Sequence, residues 1–277
     1  MEGLSALQAI VLGLVQGLTE YIPISSTAHL RIVPALLGWG DPGAAFSAVI
    51  QLGTLLAVLV YFARDIARLT RAALASLVSA PARRTPEARL AWAIAAGTVP
   101  IVALGLGFRH VIETELRSLF VIAAMLIVVA LGLAWVERRG EGSRAMESLT
   151  LWPVVAIGCF QALALIPGAS RSGATILGGL LLGLRRADAA RFSFLLGIPA
   201  ILGAALLELP TVLAGVRHGE LSGTALALGL LAAAVSGYAS IAFLLRYLQR
   251  HSTLLFVVYR LALGAGVLAL AARGAIR

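Results

Sequence analysis

The sequence predicts an all-α polytopic membrane protein made of two inverted-topology repeats, each a re-entrant helical hairpin plus three transmembrane helices. Composition, six long apolar segments and a recurring pair of polar clusters predict it. Of the 277 residues, 60% are hydrophobic and 13% charged, against about 25% charged in soluble domains. The mean hydropathy is +0.96. Segments near 46–63, 91–108, 118–136, 192–208, 224–245 and 253–272 each approach the roughly 17–25 apolar residues that a spanning helix needs. One integral domain over residues 1–277 is expected, with no soluble domain and no low-complexity tail.

The elements follow in order. In the first half, short apolar segments at 4–22 and 26–37 flank a polar break and precede the first three spans. In the second half, segments at 152–166 and 171–182 flank another break and precede the last three. Pieces of about a dozen residues are too short to cross, so they read as re-entrant. Repeat one covers about 1–145 and repeat two about 146–277, at an offset of roughly 145 residues. Gln16, Pro23 and Ser25-Ser26 are echoed by Gln161, Pro167 and Ser170-Arg171-Ser172, and Phe46-Ser47 by Phe192-Ser193. An odd number of spans per repeat inverts one half against the other, as in many transporters.

Charge sets the orientation. The net charge is +9 and all 22 basic residues are Arg. They gather in loops: Arg64, Arg68, Arg71, Arg83, Arg84 and Arg89; Arg138, Arg139 and Arg144; Arg185, Arg186 and Arg191; Arg246 and Arg250. This is the positive-inside pattern, so these loops are expected in the cytoplasm and both termini outside. Nucleic-acid binding is not expected. Cys159 is the single cysteine, which rules out an intrachain disulfide and reads as a small buried apolar residue. The N-terminus lacks a basic signal-peptide region, so the first segment is expected to be retained.

Chemistry is expected in the two breaks: Gln16-Gly-Leu-Thr-Glu20-Tyr-Ile-Pro23-Ile-Ser25-Ser26-Thr27-Ala-His29 and Pro167-Gly168-Ala169-Ser170-Arg171-Ser172-Gly173-Ala174-Thr175. Ionisable groups within a membrane are costly and mark function by default. Ser or Thr after a Pro break favours an N-cap, so each cluster should open a short helix whose N–H groups and dipole attract an anion. Arg171 adds a planar fork suited to phosphate oxygens. The bland reading stands beside this. Thr27, Ser170 and Thr175 could simply cap or join helices, and Arg171 could pair with Glu20 or a carbonyl. Gln51, Glu208 and Arg260 are weaker candidates, Arg260 as a partner of Glu208 or a lining residue.

The paired clusters resemble those of the undecaprenyl-diphosphate phosphatase family, also known as bacitracin-resistance phosphatases. That family carries Glu/Gln-x-x-x-Glu followed by Pro-x-Ser-Ser-Thr-x-His, then Pro-Gly-x-Ser-Arg-Ser-x-x-Thr. Here Gln16 to Glu20 and Pro23 to His29 match the first pattern, and Pro167 to Thr175 the second. The resemblance extends to Phe46–Ala57, to 192–196 and to Tyr259-Arg260. It implies an enzyme of the bacterial cytoplasmic (inner) membrane that removes the terminal phosphate of undecaprenyl diphosphate. The monophosphate then returns as lipid carrier for cell-wall synthesis. It also implies a site facing the outer side and a divalent metal, Mg²⁺ or Ca²⁺. Many members have Glu where this chain has Gln16, a weaker ligand.

The roles expected on this basis are specific. Arg171 holds the diphosphate, with Ser25, Thr27, Ser170, Ser172, Gly173 and Thr175 around the phosphates. Ser26 is the nucleophile, with Ser25 as the neighbouring alternative, and His29 the general base or acid. Glu20 binds the metal or orients the attacking group, with Gln16 as a weak second ligand. Direct attack by water stays open, and so does the second class of function: a polyprenyl-phosphate flippase, alone or combined with hydrolysis. The expected partners are the polyprenyl diphosphate and the bilayer. Gly178-Gly179, Gly183, Gly264 and Gly266 would serve packing within the chain or in a homodimer.

Overall fold

The computed structural model describes residues 4–219 and 221–276. α1 (Ala6–Glu20) opens with a capping box in which Ser5 and Gln8 each accept from the other's backbone N–H. The chain then breaks at Pro23 and resumes as α2 (Ser26–Leu37), which ends at Gly38 in the left-handed region, φ 69°. Such a C-cap is most easily met by glycine. α3 (Gly43–Val49) and α4 (Gln51–Tyr61) form one span with a break at Ile50. Side chains return to carbonyls of the preceding turn there: Ser47 to Gly43, Gln51 to Ser47 and Thr54 to Gln51. Bonds of this kind bend helices.

The Arg-rich tract that follows, expected as a loop, is largely helical: α5 (Ala63–Val78). Arg64, Arg68 and Arg71 share one face at i, i+4, i+7 spacing, while Leu69 is buried, so the helix is amphipathic. α6 (Pro86–Gly107) has a Thr85 cap and Pro at its first position, where proline fits. A short α7 (Arg109–Glu113) leads to α8 (Leu119–Glu137), capped by Ser118. α9 (Leu151–Ala162) and α10 (Arg171–Leu181) are the second pair of short helices. α11 (Arg186–Arg217), α12 (Gly223–Leu248) and α13 (Leu254–Ala272) complete the chain. The 32 residues of α11 run about 48 Å at 1.5 Å each, well beyond a hydrocarbon core of about 30 Å. The segment expected at 192–208 is therefore only its middle.

Among the described residues, six helical segments are long and apolar enough to cross a membrane. The protein is an all-α, multi-pass membrane protein. Its main helix pairs cross between the halves: α1 lies along α12, α9 along α6 and α8 along α13. Small residues permit the approach. A Cβ at Gly17 would meet Ser236 Oγ at 2.0 Å, and one at Gly158 would meet the Gly97 carbonyl at 2.1 Å. Gly178, Gly179 and Gly264 also pack within the chain, against Phe160, Ala189 and Ile127. Cys159, expected to be buried, is exposed.

Ionic contacts collect the loops at two ends. At one, Arg191 pairs with Asp65 at 2.6 Å, and Arg186 with Glu137 at 2.7 Å and Glu141 at 2.8 Å. There Glu137 also accepts from the N–H and hydroxyl of Thr253, joining α8, α11 and α13. At the other, Asp41 takes both Arg117 and Arg31, and Arg109 pairs with Glu208. The Arg-rich segments that carry Asp65, Glu141 and Arg186 thus meet at a common end.

Candidate active site

The two breaks have the same backbone. Ser25 and Ser170 are the only non-glycine residues with positive φ among those described, at 75° and 71°. Non-glycine residues rarely adopt that region, and it concentrates at functional sites. Each is the N-cap of a short helix: Ser25 Oγ accepts from Ala28 N at 3.4 Å and Ser170 Oγ from Gly173 N at 3.1 Å. Each hydroxyl also meets one two residues on, Thr27 and Ser172 respectively, at 3.2 Å. The caps therefore point α2 and α10 N-terminus inward at corresponding places.

The breaks are tied together directly. Ser172 donates to the backbone carbonyls of Glu20, at 3.1 Å, and Ile22, at 3.3 Å. Gly168 N donates to Thr27 Oγ1 at 3.5 Å. Gly168 has φ 93°, and a Cβ there would lie 2.3 Å from the Ile122 carbonyl, so only glycine fits between the break and α8.

Glu20 is the hub. Its Oε2 accepts from Ser26 Oγ at 2.6 Å and from Gln16 Nε2 at 2.8 Å. Its Oε1 accepts from Arg171 Nη2 at 3.1 Å and Nε at 3.4 Å. Arg171 Nη1 continues to the Ser193 carbonyl at 3.1 Å. Gly197 on α11 makes room for it, because a Cβ there would overlap the guanidinium. The carboxylate and guanidinium are 4% and 9% exposed, so each is the other's main charge compensation. Losing one partner of such a pair costs about 3–5 kcal/mol.

The ring of His29 is held at both nitrogens. Its Nδ1 meets the Ser25 carbonyl and its Nε2 the Tyr259 hydroxyl, each at 2.7 Å, and the two rings stack. A carbonyl only accepts, so Nδ1 carries the proton. The direct hydrogen-bond partner of Ser26 is Glu20. Thr175 is turned into packing, its hydroxyl meeting the Arg171 carbonyl and Ser193 Oγ. Gln51 is held by the Ser47 carbonyl at 3.3 Å.

Of the two readings left open for Arg260, the pair with Glu208 is not formed. Glu208 pairs with Arg109, while Arg260 is fully buried and bonds five backbone carbonyls: Pro23 of one break, Gly168 and Ala169 of the other, and Met125 and Leu126 of α8. It clamps both breaks to α8. An Arg followed by no acidic partner in the same apolar run was the only sequence signal for this role. Tyr259, Thr54 and Ser193 lie in the stretches that the resemblance covers but were given no role; as ordinary polar residues in spans they carry no local mark of one.

The donor set bears on a metal as well. The Gln16 amide that donates to Glu20 has a buried oxygen, Oε1, without a hydrogen-bond partner. Beside a carboxylate, an unpaired amide oxygen suits a hard cation that takes oxygen ligands and keeps waters. The residues fit such an ion, although no cluster of three His, Cys, Asp or Glu exists among the described residues.

Fold and site together define a polytopic α-helical membrane protein with an ionisable hydroxyl–carboxylate–guanidinium set buried where two broken segments meet. The chain belongs to the bacitracin resistance protein BacA family, whose profile matches residues 9–266. It is 54% identical to the undecaprenyl-diphosphatase of Myxococcus xanthus, over 98% of this chain and 91% of that protein. It is 53% identical to that of Chlorobium phaeobacteroides and 51% identical to that of Chlorobaculum tepidum, each over 96% of this chain and 97% of the relative.

Proposed function

We propose that the protein hydrolyses undecaprenyl diphosphate to undecaprenyl phosphate and inorganic phosphate, and so recycles a lipid carrier for cell-wall synthesis and confers bacitracin resistance. The observation that carries this reading is the Ser26–Glu20–Arg171 chain of hydrogen bonds at the meeting point of two helix N-termini. Relatives named for that activity, covering nearly the whole chain at about half identity, support the substrate.

Phosphoryl transfer needs positioning, charge compensation and an in-line nucleophile. Ser26 Oγ attacks the terminal phosphorus while its proton passes to Glu20. The anhydride bond breaks and undecaprenyl phosphate leaves with the electron pair. Arg171 and the first N–H groups of α2 and α10, which have no partner within their helices, hold the phosphate oxygens. In the second step water attacks the phosphoserine and gives a proton to His29 Nε2 once Tyr259 turns away. Glu20 returns its proton to Ser26 Oγ, phosphate departs, and His29 Nε2 releases its proton to solvent. Glu20 and Gln16 are the residues that would hold Mg²⁺ or Ca²⁺, which when bound supplies charge compensation to the phosphate.

We further assign the end carrying Arg64, Arg144 and Arg186 to the cytoplasm by the positive-inside rule. The two halves are then inverted repeats, both termini lie outside, and the site opens to the outer face of the inner membrane.

The test is phosphate release from undecaprenyl diphosphate by detergent-purified protein, with Mg²⁺, Ca²⁺ or chelator, for wild type and Arg171→Ala. Release that depends on Arg171 supports the reading. Folded wild type that moves polyprenyl phosphate across liposomes without releasing phosphate would replace it with a flippase.

A further inference from the structure

Beside the polar site runs an apolar groove of about 310 Å³ between α6 and α11, lined by Val102, Leu106, Leu165, Ala200, Gly203 and Leu207. We propose that it holds the isoprenoid units of the substrate nearest the diphosphate; the inference rests on the prenyl-diphosphate reading above.

Continuity with the site selects the occupant. Arg171 lies against α11 at Gly197. Ala200 is three residues further on, and positions three apart are neighbours on one helix face. Leu165 ends the segment that leads into the Pro167–Thr175 cluster. A chain attached to a phosphate at Arg171 therefore reaches the groove within one helical turn. From Ala200 to Glu208 the α11 wall extends about 12 Å, and the far end is closed by the Arg109–Glu208 pair.

Shape and chemistry agree with that occupant. Gly105, Ala200, Gly203 and Ala204 hollow the walls, and the polar groups stand at the end remote from Arg171. The two halves also differ here in a telling way. At offsets of 145 and 146 residues, Leu165 corresponds to Glu20 and Ala200 to Thr54. The first half fills this position with the hydrogen-bonded Gln16–Glu20–Thr54 group; the second half keeps a buried Gln161 whose amide has no hydrogen-bond partner, but has Leu165 and Ala200 in place of the carboxylate and the hydroxyl.

The groove can be filled without disturbing the fold, because nothing lies within 4 Å of a Cβ built at Gly203. The probe is a fifteen-carbon prenyl diphosphate with a diazirine on its second isoprene unit, irradiated with the purified full chain. We expect label on α6 and α11 peptides that line the groove, displaced by undecaprenyl diphosphate and lost in Gly203→Phe. Gly203→Phe should also raise KM for undecaprenyl diphosphate about tenfold with kcat retained, the mark of lost uniform binding. Leu231→Phe, on an exposed face of α12, should change neither. Label spread over α12 and α13, or a KM for Gly203→Phe equal to that of Leu231→Phe, overturns the groove. Groove labelling without phosphate release keeps the groove and overturns the hydrolase; release with label elsewhere does the reverse.

Discussion

Ser26 donates its hydroxyl to Glu20 Oε2 at 2.6 Å, so the proposed nucleophile and the proposed acceptor of its proton are in direct contact. The same carboxylate faces Arg171 through its other oxygen. One side chain therefore joins the Ser26 hydroxyl to the Arg171 guanidinium.

Glu20→Gln removes the proton acceptor and nearly preserves shape. General-base loss costs about 10²–10⁴ in rate, so kcat should fall within that range while KM moves less. Steady-state phosphate release checks this. A variant with wild-type kcat would take the base role from Glu20.

Ser25 and Ser170 combine a cap with a left-handed backbone. Replacing a cap Ser by Ala costs about 0.5–2 kcal/mol, and by Gly only a few tenths. Gly also relieves the strain. Ser170→Ala should therefore lower thermal stability in detergent more than Ser170→Gly, with Ser25 in the same order. Equal losses from Ala and Gly would mean the positive φ carries no cost.

Much of this was legible in the sequence because chemistry in a membrane leaves residues that lipid would otherwise forbid. Glu20, Arg171 and the hydroxyl runs stand out against apolar surroundings, and Pro23 and Pro167 mark where helices must stop. The short helices begin at Ser26 and Arg171, where the caps place them. Apart from the Arg171–Glu20 pair, what the sequence concealed was partnership. Nothing local says that Ser26 turns to Glu20 and not to His29, or that Tyr259 comes back across 230 positions to His29. α5 was hidden because its arginines read as loop, when they are the polar face of an amphipathic helix.

Arg260 offers the sharpest test of the clamp. A buried carbonyl left without a donor costs about 1–3 kcal/mol, and three of the five that Arg260 serves, on Pro23, Gly168 and Ala169, lie in the breaks outside any helical ladder. Arg260→Lys keeps the charge but supplies a compact ammonium in place of a planar fork. Thermal unfolding should show Arg260→Ala well below Arg260→Lys, and both below wild type. Arg260→Lys should also lose activity at temperatures where it stays folded. A folded, fully active Arg260→Lys would show that the breaks hold their geometry unaided.

Gln16→Leu removes the unpaired amide oxygen together with the bond to Glu20. If this oxygen holds the divalent ion, the Mg²⁺ concentration for half-maximal phosphate release rises about tenfold, on the scale of lost ligand support. Gln16→Glu should lower it. Metal titrations with the same half-maximum in all three proteins would remove Gln16 from the metal site.

The most direct measurement is phosphate release from undecaprenyl diphosphate by Ser26→Ala beside wild type, with acid-quenched wild type analysed for phosphate on Ser26. The predicted result is loss of release by about three orders of magnitude or more, in line with the removal of a covalent nucleophile, and phosphorylated Ser26 in the quenched enzyme. Release at the wild-type rate by folded Ser26→Ala would contradict the account and leave water as the attacking group.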